Sequence, residues 1–283
     1  MTSLLPILHE YESTGTEYGS SYYSETCPRR AQLNKQLGRS ESTDPQKRGT
    51  AFGKILELYY AGRLHEYAIP VNDDTDDEDP ARLAIRMFKE YRKHFPPNEF
   101  EVVGCETRFP SEDPAFTERE AIVLERYFGA PMSGRFDMVI NVRPQDVARI
   151  REFRRIDLVP GRYILDHKTK GQKDNLSMWR HALSLQFRTY MMAYNLLHPE
   201  TPVLGAIANE VIAHSKMELL DKNGAPHSFR SFFVEAPNEM QTRAVLAWLP
   251  KQAAYLASGE VNLNSCVGAT VCHHYKNGAC FQL

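Results

Sequence analysis

The apolar positions recur with a period that changes along the chain, and each period names an element. Leu83, Ile85, Met87, Phe88 and Tyr91 read as an amphipathic helix from Pro80 to Phe95, closed by Pro96-Pro97. Phe52, Ile55, Leu56 and Tyr59 mark one face of an earlier helix that opens at Gly49. A helix before it starts at Ser24 or Thr26, carries Pro28 in its first turn, and stops at Gly38. One long helix is predicted from about Leu176 to Leu197, and a last one from about Asn238 to Ser258. Short apolar or alternating runs read as strands over 101–109, 120–124, 133–140, 162–170, 203–214 and 229–235. The last of these is entered by a hairpin turn at Asp221-Lys-Asn-Gly224. Strands interleaved with helices predict an α/β fold, a central mixed β-sheet flanked by helices.

Polar stretches divide the chain. The first twenty residues show no periodicity, and 72–79 is an acidic run too polar to pack, read as a linker because it lacks the glycine of a calcium loop. The divisions are an N-terminal helical segment (1–70), the linker and its helix (71–98), a core (99–235), and a C-terminal helix with a cysteine-bearing tail (236–283). Within the core, residues 144–160 are long for a hairpin connection and carry Arg149, Arg151, Arg154 and Arg155. They are expected to form an arginine-bearing flap near the active site, with a solvated loop as the plain alternative.

Composition changes this picture little. The net charge of −2 advertises no polyanion partner, so any nucleic-acid binding must come from local basic patches. No stretch approaches the roughly 20 apolar residues of a membrane span. Five cysteines without a secretory signal argue against a disulfide framework and for a cytoplasmic protein. Cys105, in mid-strand, reads as a small buried hydrophobe.

The candidate chemistry lies on two strands, Ser133-Gly-Arg-Phe-Asp137-Met-Val-Ile140 and Arg162-Tyr-Ile-Leu-Asp166-His-Lys168-Thr-Lys170. A carboxylate inside a core strand costs several kcal/mol of hydration unless something pairs with it. Side chains two apart share a strand face, so Asp166 and Lys168 point one way and His167 the other. Converging carboxylates suit Mg²⁺ or Mn²⁺, and a nearby ammonium suits a nucleophilic water or a phosphate oxygen. A strand-end Asp–Lys ion pair on an unrelated sheet is the bland alternative.

These two strands resemble motifs II and III of the PD-(D/E)XK nuclease superfamily, and Gln186-Phe-Arg-Thr-Tyr190 is similar to the Q-x-x-x-Y motif of its RecB-like branch. Glu57 matches the glutamate of that branch's motif I, whereas Gly53 stands where the family carries a metal-binding histidine. The resemblance implies that Asp137 and Asp166, with the His167 backbone carbonyl, bind one or two Mg²⁺ or Mn²⁺ ions. It implies that Lys168 orients water or steadies charge on phosphorus, that Gln186 and Tyr190 fix a neighbouring phosphate, and that Glu57 reaches the metal directly or through water. Arg135, Lys170, Lys173, Arg151, Arg154 and Arg155 are the expected backbone contacts, which carry no sequence information.

The tail holds Cys266, Cys272 and Cys280 at C-x5-C-x7-C, and Cys27 can supply a fourth thiolate. That set resembles the AddB, CRISPR-associated and phage exonucleases, in which one N-terminal and three C-terminal cysteines hold a 4Fe-4S cluster. Zinc, with His273 or His274 as the fourth ligand, and unligated thiols are the alternatives. Such a cluster would clasp the two ends of the chain around the core.

The expectation is therefore a metal-dependent DNA exonuclease of low specificity, acting on single strands or duplex ends in repair, recombination, phage or CRISPR-related processing. A catalytically weakened DNA-end-binding accessory protein and an RNA phosphodiesterase are the alternatives. A helicase, recombinase or integrase partner and a homo-oligomer are left open.

Overall fold

The tripeptide Asp-Pro-Ala occurs at 79–81 and again at 113–115, and both times it starts a helix. Asp79 accepts the Ala81 N–H at 3.0 Å and Asp113 accepts that of Ala115 at 2.9 Å, while the proline fills a position whose N–H would have had no partner. The structure, a computed structural model, describes residues 2–9, 43–69, 79–171, 176–213 and 228–258. In chain order its elements are β1 (Thr2–Ser3), α1 (Leu5–His9), α2 (Asp44–Tyr60), β2 (Tyr67–Ala68), α3 (Pro80–His94), β3 (Glu101–Phe109), α4 (Pro114–Phe128), β4 (Gly134–Val142), α5 (Val147–Arg154), β5 (Gly161–Lys170), α6 (Ser177–Ala182), α7 (Leu185–Leu197), β6 (Val203–Ile212), β7 (Phe229–Glu235) and α8 (Glu239–Ser258).

The expected central mixed sheet is present, with strand order β3-β4-β5-β6-β7. Its pairs are antiparallel except β5–β6, which is parallel and bridged by the α6–α7 crossover. Helices cover both faces. On one, α1, α2 and α3 pack Leu8, Phe52, Ile55, Phe88 and Tyr91 onto Met138, Ile140, Tyr163 and Leu165. On the other, α4, α7 and α8 pack Phe128, Phe187, Met191 and Leu249 onto Phe136, Val139 and Ile164. Each large side chain buried in these layers is worth about 1.5–3 kcal/mol of removal from water. Among the described residues no helix is long and apolar enough to cross a membrane.

Four expectations are corrected. Residues 120–124 form the middle of α4, not a strand: the Asp113 cap sets the helical period, and Leu124 and Phe128, four apart, are the buried pair. Residues 2–9, within the stretch read as polar and without periodicity, are ordered into β1 and α1: β1 pairs with β2, and Leu4 and Leu8 enter the core. The long helix over 176–197 is two, since Ser184 takes an extended conformation between α6 and α7. Finally, 144–160 is not a flap. A short 3-10 turn at Pro144–Asp146 leads into α5, and Ile150, Ile156 and Leu158 bury in the core. Asp146 clamps the turn by accepting from Arg143 Nε at 2.8 Å and Arg149 Nη2 at 3.0 Å. The helix predicted over 24–37 and the turn at 221–224 lie outside the described residues.

The sheet forks at one rung. Pairing between β4 and β5 ends at Met138↔Leu165, yet β4 continues on β3 to Gly134 and β5 continues on β6 to Lys170. The side-chain alternation of β4 breaks at the same place, because Phe136 belongs to one core layer and Met138 to the other. Asp137 and Asp166 are the first residues past that last rung.

Candidate active site

The fork explains why two carboxylates can stand inside a sheet. Where the strands part, Asp137 takes over the lost ladder contact, its Oδ2 accepting the His167 N–H at 2.9 Å. Asp166 is 1 % exposed, and Lys168 Nζ lies 2.8 Å from its Oδ2. Beyond that ion pair, neither Asp166 oxygen accepts a hydrogen bond. Lys168 Nζ also donates to Gln186 Oε1 at 3.1 Å, and Gln186 Nε2 donates to the Tyr190 hydroxyl at 3.1 Å. Asp166, Lys168, Gln186 and Tyr190 therefore form one row from β5 to α7, with Asp137 beside it. Tyr190 is locked by edge-to-face contact with the rings of Phe109 and Phe136. A Cβ at Gly134 would strike the Phe109 ring at 2.4 Å, so the glycine before Arg135 is what lets that stack form.

The charges are arranged against one another. Burial, then the neighbouring Asp166, push the Asp137 carboxyl up to about 8, and Lys168 and the His167 N–H only partly offset this. Burial alone would lower the Lys168 ammonium, but Asp166 and Asp137 outweigh it and hold it well above its ordinary range. The His167 imidazole faces the other core layer, with Nε2 3.3 Å from the Tyr91 hydroxyl. Burial first, then Arg154 and Lys168, depress it well below the ordinary histidine value, so it is neutral.

A cleft of about 650 Å³ opens onto Asp137, His167 and Lys168 from the side of α2 and β3. Glu57 lines it, ion-paired with Lys54 at 2.6 Å. Gly53 lines it too, and a Cβ there would meet nothing within 4 Å. Motif spacing does not point to Glu106. It faces Asp137 across the β3–β4 register, between the pairs Cys105↔Met138 and Thr107↔Phe136, and has a left-handed φ of 51°. Burial raises its carboxyl, and Arg135 Nε pairs with it at 2.5 Å. The one sequence signal was a glutamate directly after the run Val102-Val-Gly-Cys105 in mid-strand. Cys105, beside it, is half-buried, and burial pushes its thiol up to about 11.

The expected phosphate contacts divide. Arg135 lines the cleft. Lys170 is engaged elsewhere, paired with buried Glu210 and donating to Ser177 Oγ at 2.8 Å. Arg154 is a correction: its side chain is 0 % exposed and paired with Glu99 in the core, because α5 packs inward, so it is withdrawn from any phosphate. Arg151 is exposed and paired with Asp157, and Arg155 caps α5 in a left-handed turn; neither lines the cleft. Lys173, Cys27, Cys266, Cys272 and Cys280 lie outside the described residues.

Among the described residues no three His, Cys, Asp or Glu side chains converge closely enough to hold a metal by themselves. The fork nonetheless fits a divalent cation. Both Asp166 oxygens are buried and accept nothing beyond the Lys168 ion pair, and Asp137 is pushed toward protonation by burial and by its neighbour. Two carboxylates are enough when water and a substrate phosphate complete the shell of a magnesium-like ion.

A family model described as the PD-(D/E)XK nuclease superfamily matches residues 23–274. No curated protein matches the sequence. Eight chains of known structure match, among them a candidate exonuclease from Eubacterium rectale. The match to that crystal structure has 13% identity and a TM-score of 0.47, over 87% of this chain and 83% of that one.

Proposed function

The chain belongs to the PD-(D/E)XK nuclease superfamily, whose members are metal-dependent phosphodiester hydrolases, and we propose that it is a DNA exonuclease of low sequence specificity on the RecB-like branch. The observation that carries this reading is the fork itself, with Asp137, Asp166 and Lys168 gathered past the last β4–β5 rung. Nucleases of this superfamily use divalent metals such as Mg²⁺ or Mn²⁺. Asp137 and Asp166 would hold the cation here, which when bound neutralises phosphate charge and lowers the pKa of water.

The chain's own groups do the rest. Lys168 stays charged at any working pH, so it stabilises negative charge and orients water instead of removing a proton. Asp166 and Gln186 hold its ammonium from two sides, which costs no reorganisation when charge develops. Arg135, steadied by Glu106, presents its guanidinium to the cleft for a backbone phosphate. Such contacts read no bases, hence the low specificity. The RecB-like assignment rests on the Gln186–Tyr190 motif, and the exonuclease assignment on the resemblance of the four-cysteine set to the AddB, CRISPR-associated and phage exonucleases. The four-cysteine 4Fe-4S cluster rests on sequence spacing alone, and iron and sulfide analysis of anaerobically purified protein checks it.

Digestion of end-labelled linear and closed-circular DNA with Mg²⁺, Mn²⁺ or EDTA tests the proposal. Linear DNA should be degraded from its ends, only with metal. Asp166→Ala should abolish cleavage, and Lys168→Ala should keep metal binding while losing about 10²–10³-fold in rate. Full cleavage by Asp166→Ala protein removes this site from consideration. Binding of DNA ends without cleavage by the wild type would favour the accessory-protein reading.

A further inference from the structure

Leu176, Met178, Trp179 and Leu183 are all exposed on or beside α6, Trp179 by 60 % and Leu183 by 67 %. So dense an apolar patch on a soluble face marks a contact surface. It is not a helix seated the wrong way round. The opposite face of α6 is fastened to the sheet: Ser177 Oγ accepts from Lys170 at 2.8 Å, and His181 Nε2 lies 2.8 Å from Glu210 Oε1. Glu210 is fully buried and also pairs with Arg230 at 2.6 Å. Turning α6 over would break that cluster, so the fold holds its apolar side chains outward.

Position and charge indicate the occupant. Lys170 stands two residues past Lys168 on the same face of β5, and α7, with Gln186, begins three residues after α6 ends. Helix α6 therefore sits just past the Lys168 end of the Asp166–Lys168–Gln186 row, with its apolar side chains on the face away from Lys170 and Glu210. From Leu176 to Pro199 the sequence carries Arg180 and Arg188 and no carboxylate, in a chain with 36 acidic residues. A surface that is apolar, aromatic and cationic beside a phosphodiesterase row suits a polyanion that exposes flat apolar groups.

We propose that this face of α6 is a stacking platform for unpaired bases of the strand whose backbone enters the fork, an inference that rests on the nuclease reading above. Trp179 supplies the flat ring, Met178 and Leu183 flank it, and Arg180 adds positive charge. Stacking on an aromatic ring is tolerant of sequence, so it adds affinity for single strands without selecting among them.

The protein's two tryptophans make the test direct, because Trp248→Phe leaves Trp179 as the only emitter. With EDTA present to prevent cleavage, a single-stranded dT20 oligonucleotide should quench that emission saturably, and a blunt duplex of equal length should not. Trp179→Ala should weaken dT20 binding about 5- to 150-fold, the worth of one base–aromatic stack, while Trp179→Phe keeps most of the affinity. Unchanged affinity in Trp179→Ala overturns the proposal. So does a Trp179 already shielded from acrylamide before DNA is added, which would put another part of the chain over it. Loss of a dimer in the Trp179→Ala protein, or binding of dT20 no better than anionic vesicles, would assign the face to a second copy or to a lipid surface instead. Metal-dependent cleavage with no effect of Trp179→Ala sinks only this inference; quenching without any cleavage sinks only the nuclease reading.

Discussion

Replacing Glu99 with Gln strips a buried guanidinium of its counter-charge, and the structure sets the size of the penalty. Arg154 and Glu99 side chains are both 0 % exposed. Arg154 donates Nε to Glu99 Oε2 at 2.9 Å and Nη2 to Glu99 Oε1, to the Tyr60 hydroxyl at 3.2 Å and to the Tyr91 hydroxyl at 3.0 Å. Its guanidinium also sits 4.6 Å from the centre of the Phe95 ring. Removing one partner of such a pair costs about 3–5 kcal/mol, because the survivor stays buried and uncompensated. Glu99→Gln, which keeps one carbonyl acceptor, should fall at the lower end, and Arg154→Ala at the upper. At about 2–4 °C per kcal/mol, Tm should drop by about 6–20 °C. The double variant Glu99→Leu/Arg154→Met removes both charges, and the Tyr60 and Tyr91 hydroxyls, 2.8 Å apart, still satisfy each other. It should recover most of the loss. Urea denaturation of the wild type, Glu99→Leu, Arg154→Met and the double variant supplies the cycle. Single variants within about 0.5 kcal/mol of wild type, or a double variant as damaged as the sum, would refute the reasoning. So would an Arg154→Ala protein of normal Tm whose DNA affinity had lost about 0.9 from its log–log salt slope, since that is the signature of a phosphate contact.

Two further outcomes follow from the site. The Asp137 carboxyl rises from an ordinary 3.8 to about 8, so between those pH values the metal-free native state holds a proton that the unfolded chain has released. Apo stability should therefore fall as pH rises through that window, relative to an Asp137→Asn control that cancels the opposite contribution of His167, and saturating Mg²⁺ should remove the slope; parallel urea midpoints for the two proteins would count against it. At position 53 there is room for a side chain; the wild type should cleave faster with Mn²⁺ than with Mg²⁺, and Gly53→His should gain about 0.3–0.5 kcal/mol of helix stability and raise the Mg²⁺-supported rate. Equal Mg²⁺ and Mn²⁺ rates, with no gain on substitution, would sink this idea.

Local pattern in the sequence was enough to place most of the elements and the side chains of the Asp166–Tyr190 row. Period two put Asp166 and Lys168 on one strand face, and a spacing of four put Gln186 and Tyr190 on one helix face, because backbone geometry alone sets those directions. Register and burial were a different matter. Glu106 meets Asp137 only through the β3–β4 register, and Asp137 meets Asp166 only because pairing between β4 and β5 stops at Met138↔Leu165. Arg154 and Arg151 look alike in the sequence, yet one turns into the core toward Glu99 and the other out to Asp157. Trp179 falls within the one long helix the sequence predicts, and it is Ser177 and His181, fastened to Lys170 and Glu210, that turn it outward. Spacing along the chain determines where a side chain points on its own element; which atoms it meets depends on segments tens of residues away, and only the packed structure decides that.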